Sequence, residues 1–550
     1  ISNITDITIS SAVSSAAWAM FGKDQYHTSL ANIAGPGATA TISREFDAGL
    51  INAVSQPVAD ADGNIYFGAA NGSAGKLIKL NKNMVKQWEY STNVSIGAPA
   101  VLSDGTVYFG RVGAGGTLAF TALASDGSNK WDYADASAIK AVAVSSKGEP
   151  YFTYSSGADK LAVLNIDGSM KTSFPKSASG LAGFTPVVLD NGAIITASKV
   201  SGNQFFTAYA SSGAQIWQVF YAGANGNAPA DPSYDTSTGK TYSAAGRKLF
   251  NIPSNPPDGS TINSTDIASF DYTAATAVAI GADTLYVGFN GPAPAVISTT
   301  SEGSIFANDT GVGSEMWNNP QRASVENGSY ATTFLTINTA SASHYLKATG
   351  FALSVPENAI INGVKVQILK SNSCVCMKDH RVRLVKKGNI DGEDRANTSV
   401  WPNPDAYIAH GGASDLWGLS LTPADVNASN FGVAISAQNT LTGASAAGID
   451  NIKITVYYTE AERALLYVLN KADFSVKWSC QADGYINKQI VADNADNVYF
   501  STQNGKLYSV NSVGTQSWVI NSGQNSTISP ALTKHGLVWG YGNKAVLVSD

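Results

Sequence analysis

The chain has 550 residues, a formal net charge of -6 and only 14% charged residues. An acidic balance gives no general attraction to nucleic acid or to an anionic membrane surface. No stretch approaches the roughly 18 apolar residues of a spanning helix, so neither nucleic-acid binding nor membrane insertion is expected.

Residues 1–17, ISNITDITISSAVSSAA, alternate β-branched and small polar residues. They read as a frayed terminus or, alternatively, as an extended segment able to add a strand to a neighbouring subunit. The chain opens at Ile1 with no Met, charged n-region or apolar h-region, which reads as a processed or truncated product.

From residue 18 one phrase recurs. An apolar strand is followed by a Gly or Asp turn, a strand ending in aromatics, a Gly-bearing hairpin, a third strand, a turn and a bulky aromatic. Trp88, Trp131, Phe174 and Trp217 stand at even intervals of 43 residues. That step holds four short strands, the size of one propeller blade. The aromatics read as structural anchors between blades rather than ligand contacts, because wedge-shaped sheets packed face to face leave a gap that widens outward.

A more divergent fifth blade covers about 226–267, and a sixth starts at Ala275–Ile280 and Thr284–Phe289. The pattern stops at Asn290-Gly291 and resumes near Ala464, reaching Trp478; the next blade ends at Trp518. The final stretch from Thr527 to Asp550 has three strands, and the missing one is available in Ala40–Phe46. Closing the ring with both termini removes exposed strand edges. The expected fold is therefore all-β, an eight-bladed β-propeller closed by N- and C-terminal strands and carrying an inserted antiparallel, jelly-roll-like β-sandwich. The expected divisions are propeller over 18–291, a Ser/Thr/Gly/Ala/Pro-rich linker over 292–314, the sandwich over 315–460, and propeller again over 461–550. Alternating runs at Tyr330–Ile337, Ile361–Leu369, Arg381–Val385, Phe431–Ile435 and Ile452–Tyr458 are its strands.

The repeat, with Asp126-Gly127 before Trp131, resembles the pyrroloquinoline-quinone-like propeller family. So does the segment Trp18-Ala19-Met20-Phe21-Gly22-Lys23-Asp24-Gln25-Tyr26-His27-Thr28. The insert resembles a module of phage structural proteins and large bacterial surface proteins, through Trp317-Asn318-Asn319-Pro320, Tyr345–Phe351 and Asp415-Leu416-Trp417-Gly418. The first resemblance implies a quinone-dependent dehydrogenase holding its cofactor beside calcium. The chain has no adjacent Cys-Cys pair and no placeable calcium set, so no cofactor, metal or catalytic residue is expected.

Asp60-Ala61-Asp62-Gly63-Asn64 and Asp493–Asn497 have calcium-loop spacing but read as turns. Cys374, Cys376 and His380 could ligate zinc or copper, yet free thiols or a local disulfide are the simpler reading. The candidate surface-binding residues are Lys378, Arg381, Arg383, Lys386 and Lys387, a basic run able to meet an anionic glycan, with Trp401 and Trp417. The default reading of the run is a solvated strand face.

The expectation is a non-enzymatic extracellular protein of a virion or cell-surface appendage, whose partners are other copies of itself, structural subunits or surface glycans. A quinoprotein oxidoreductase and a periplasmic assembly scaffold are the alternatives.

Overall fold

A computed structural model describes residues 18–49, 55–71, 74–92, 95–112, 120–134, 137–155, 159–173, 185–200, 203–221, 230–262, 264–268, 272–292, 295–336, 342–357, 359–374, 376–441, 443–460 and 462–550. The extended segment 1–17 and the anchor Phe174 lie outside them. The chain divides into a first unit of residues 1–292 and 462–550 and a second unit of residues 293–461.

Among the described residues the first unit contains eight antiparallel sheets. In the first sheet, Val58–Ala59, Ile65–Asn71, Ala74–Leu80 and Lys86–Thr92 pair in chain order. Its middle strands are buried and its fourth alternates exposed and half-buried residues. The same order repeats in the sheets that end at Tyr133, Ser173, Phe220, Asp266 and Asn521. One sheet draws Thr284–Asn290 from one side of the excursion and Arg463–Asn470 from the other, with Asn290 opposite Ala464. The last sheet places Thr41–Asp47 against Lys544–Ser549, so residues from both ends of the chain share one ladder.

Sheets are tied to their neighbours at their fourth strands by indole hydrogen bonds. Trp88 Nε1 donates to the Ser125 carbonyl at 3.0 Å and Trp131 Nε1 to that of Ile166 at 2.9 Å. Trp478 donates to the Ser512 carbonyl at 2.9 Å and Trp518 to that of Gly37 at 2.8 Å. Each acceptor belongs to a turn or segment of the following sheet, so the spacing of tryptophans along the sequence becomes a spacing around the unit. Gly168 shows why the turn needs glycine: its φ is +87°, and a Cβ there would stand 2.7 Å from the Trp131 ring. Trp217 is buried beside Phe206 and Phe250, and it too anchors packing.

The first strands converge on the segment Trp18–Ser29. Backbone N–H groups of Ala59, Val101, Val188, Tyr234, Ile280 and Ala492 donate to the carbonyls of Trp18, Ala19, Gln25, Tyr26, Thr28 and Ser29, all at 2.8–3.0 Å. These six donors lie on or beside the first strands of six different sheets. One short segment reaches all of them only if those strands stand around a common centre, which makes the unit propeller-like.

His27 sits in that segment, fully buried, with Nδ1 2.9 Å from the Pro232 carbonyl; burial pushes its pKa down to about 4. An unfolded histidine titrates near 6.5, so on acidification the unfolded chain takes up the proton first. Stability therefore falls between pH about 6.5 and about 4, by up to about 3 kcal/mol. Asp231, next to Pro232, is pushed up to about 6 by burial, and it adds stability as pH falls from about 6 toward 4. Urea unfolding at pH 7 and pH 4.5 separates the two, because a His27→Gln variant keeps only the second effect. The wild type should lose more stability on acidification than the variant does.

The second unit has two five-stranded antiparallel sheets around one apolar core. Ser445–Thr459 and Ile360–Asn372 form the centre of one, flanked by Val296–Glu302, Ala331–Leu335 and Ala406–Gly411. The other runs Ile305–Asp309, Tyr345–Thr349, Gly432–Asn439, Met377–Lys386, Asn389–Asp391. The expected linker over 292–314 is corrected here, since Val296–Glu302 and Ile305–Asp309 pair into the two sheets. Ser, Thr and Ala made this stretch read as a connector. Its β-branched residues gain strand pairing only once Ser445–Thr459 and Tyr345–Thr349 are beside them.

Candidate functional site

The structure divides the basic run. Arg383 donates through Nε and Nη2 to the Gly392 carbonyl at 2.8 and 2.5 Å. Lys386 donates to the Ser420 carbonyl at 2.6 Å, and the Lys387 ammonium stands 3.7 Å from Asp425. These three serve local loops and a helix start. Lys378 and Arg381 instead line a cleft of about 490 Å³ with Asp379, His380, Asp394, Ala396, Asn397, Thr398 and Gln438. Trp401 and Trp417 are not surface groups: they are 2% and 0% exposed. Their indoles are used inside, Trp417 Nε1 donating to the Val364 carbonyl at 2.9 Å. Large apolar rings in a half-polar stretch read as exposed, but the sandwich core needs their volume.

The cleft is shaped by a β-bulge. Asp379 faces Ala437 and Arg381 faces Ser436, so His380 is the extra residue between them. Bulges bend the strand and re-aim side chains. His380 Nδ1 lies 3.2 Å from Ser436 Oγ, and burial and then Arg381 hold its pKa below the ordinary histidine range. Arg381 Nη1 donates to Asp394 Oδ2 at 2.9 Å, while Asp394 Oδ1 accepts from the backbone N–H groups of Val382 and Ala396.

Behind the cleft is a closed polar network. Asp379 Oδ1 accepts from Lys370 Nζ at 2.5 Å and from Trp401 Nε1 at 2.8 Å; its Oδ2 accepts from the Asn397 N–H at 2.8 Å. The Lys370 and Asp379 side chains are 1% and 0% exposed. Burial lowers the Lys370 pKa, and Asp379 offsets part of that shift. His410 Nδ1 lies 2.8 Å from the Arg395 carbonyl, which only accepts, so Nδ1 carries the proton. Burial, then Lys370, lowers the His410 pKa, and its neutral Nε2 faces Lys370 Nζ at 3.3 Å as an acceptor. The Lys370 ammonium also stands 5.1 Å from the Trp401 ring centroid. Lys370 and His410 belong to one sheet and Asp379 to the other, so the network pins the two sheets together and fixes the cleft floor. Single-sequence reading missed it, because a lysine in a strand ordinarily marks the solvated face.

The remaining candidates resolve into structure. Asp60 accepts from the N–H groups of Asp62 and Asn64, from Asn64 Nδ2 and from Tyr66 OH. Asp493 accepts from Ala495, Asn497, Tyr499 and Gly35. Both carboxylates are used by their turns. Cys374 and Cys376 are joined in a disulfide, so their sulfurs are not thiolates free for a metal. Denatured, unreduced protein should therefore titrate with one thiol, that of Cys480; three thiols would contradict the pairing.

No family profile matches the chain, and no curated protein matches it. Solved structures do. BamB from Moraxella catarrhalis is similar at 10% identity and TM-score 0.45, over 93% of this chain and 100% of that one. The quinohemoprotein alcohol dehydrogenase of Comamonas testosteroni is similar at 11% identity and TM-score 0.39, over 99% and 79%. The C-terminal WD40 domain of Sif2 is similar at 8% identity and TM-score 0.46, over 93% and 98%. The chain is all-β, and its neighbours are propeller-like.

Proposed function

We propose that this chain is a non-enzymatic recognition protein working outside the cytoplasm. On this reading the first unit is an eight-bladed propeller closed by its terminal strands and serves as a rigid platform. The second unit is a sandwich inserted at a hairpin tip and is the binding domain. The observation that carries the reading is the cleft beside His380, polar, of mixed charge and backed by a buried network that holds its floor still. The Cys374–Cys376 disulfide supports an oxidising compartment. Attachment to a virion or cell-surface appendage belongs to this proposal too. The solved structures named above sit nearer the alternatives, and at their similarity they speak for fold alone.

The calcium that the propeller resemblance implies does not fit the donors present among the described residues. Among the described residues no three His, Cys, Asp or Glu are placed to hold a metal ion. The two loops with calcium spacing spend their carboxylates on their own turns. An oxidoreductase reading would be restored if quinone and calcium gave the purified chain the power to reduce an electron acceptor.

The direct test of recognition is excision. Asn290 and Ala464 are paired neighbours, so a tight Asn-Gly turn can replace the second unit without breaking that ladder. The full chain should bind a panel of cell-surface ligands and the excised chain should bind none. Equal binding by both would end the assignment of recognition to the second unit.

A further inference from the structure

The geometry points to the cleft beside His380 as a site for a carboxylate-bearing sugar, a uronic or sialic acid unit of an acidic glycan. This rests on reading the second unit as a recognition domain, and it names the ligand class for that domain.

The first argument is charge balance. Lys370 and Asp379 neutralise each other 2.5 Å apart, and Arg381 and Asp394 do so at 2.9 Å. His380 is held neutral by its surroundings. Lys378 forms no ion pair among the described residues, and it lines the cleft opposite Gln438 on the paired strand. One unmatched ammonium in a polar cleft calls for one negative charge on the ligand. Arg381 keeps half of its side chain exposed, so its outer N–H groups remain free to share that carboxylate.

The second argument is what surrounds the cation. Asn397, Thr398 and Gln438 offer a hydroxyl and two amides, groups that both donate and accept and so suit ring hydroxyls. Among the described residues no Trp, Tyr or Phe lines the cleft. A neutral sugar would have to rely on stacking that is not there, so recognition falls to the carboxylate. The volume of about 490 Å³ lies within the range of small-ligand sites, about 300–1,000 Å³. The walls are fixed before a ligand arrives, because the Asn397 N–H is bonded to Asp379 and the Ala396 N–H to Asp394.

The test uses the full chain and ligand-observed NMR or calorimetry at constant ionic strength. N-acetylneuraminic acid and glucuronic acid are compared with galactose, glucose and sodium sulfate. The acidic sugars should bind with Kd of about a millimolar, while galactose, glucose and sulfate should not bind. Lys378→Gln should weaken the acidic sugars at least about tenfold. Lys387→Gln, at the other end of the basic run, should leave them unchanged. Sulfate binding as tightly as the sugars would reduce the cleft to a simple anion site and overturn the proposal, as would acidic-sugar binding indifferent to Lys378→Gln. If excision of the second unit abolishes ligand binding but acidic sugars never bind, the recognition reading survives and this one fails.

Discussion

Lys370→Met should destabilise the second unit by about 3–5 kcal/mol, the scale for removing one partner of a buried ion pair. The change leaves Asp379, whose side chain is 0% exposed, with Trp401 Nε1 and the Asn397 N–H as donors and no counter-charge unless His410, whose Nε2 stands 3.7 Å from Asp379 Oδ2, takes up a proton. His410 Nε2 loses its donor at the same time. Urea unfolding followed by tryptophan fluorescence reads the effect, since Trp401 reports on the same site. The double variant Lys370→Met/Asp379→Leu should recover most of the loss, because two apolar groups in a dry inter-sheet site leave no charge uncompensated. A single variant within about 1 kcal/mol of wild type would show that the pair is not a pin, and the argument for a rigid cleft floor would go with it.

How much of this was legible beforehand depends on whether the signal was local. Tryptophans spaced by 43 residues and Asp-Gly turns are local and repeated, so strand order within each sheet could be read from them. The return of the chain at Ala464 was legible for the same reason: the repeat resumes in phase. The cleft was only half legible. Lys378 and Arg381 stood out as charge, but their separation from Arg383, Lys386 and Lys387 depends on a bulge at His380 and on carbonyls of Gly392 and Ser420, which are distant in sequence. Trp401 and Trp417 misled because an aromatic in a polar stretch looks the same whether its ring faces water or a second sheet. Lys370 was invisible, since its partners lie 9 and 40 residues away and the strand's alternation gives no hint that a cation points inward.

Truncation after Asn543 should abolish folding of the first unit while sparing the second. The strand Lys544–Ser549 lies inside its sheet, between Thr41–Asp47 and Gly536–Tyr541, and four of its six residues are buried. An outer strand such as Lys86–Thr92 has none fully buried. Losing Val546, Leu547 and Val548 alone forfeits about 1.5–3 kcal/mol each, which together reaches the whole stability of an ordinary domain, about 5–15 kcal/mol. Removal also strands Thr41–Asp47, whose only ladder partner among the described residues is Lys544–Ser549, and opens two strand edges to aggregation. It takes away Asp550, which accepts the Gly37 N–H, beside the Gly37 carbonyl that receives the Trp518 indole. The contact between the seventh sheet and the last is thus loosened as well. In urea unfolding the full chain should show transitions of both units, and the truncated chain should keep only that of the second unit, which has its own core. If the first transition merely shifted by the amount expected for one frayed strand, the sheets would be stable without closure. The pairing of Thr41–Asp47 with Lys544–Ser549 would then add no more to the first unit than a peripheral strand does.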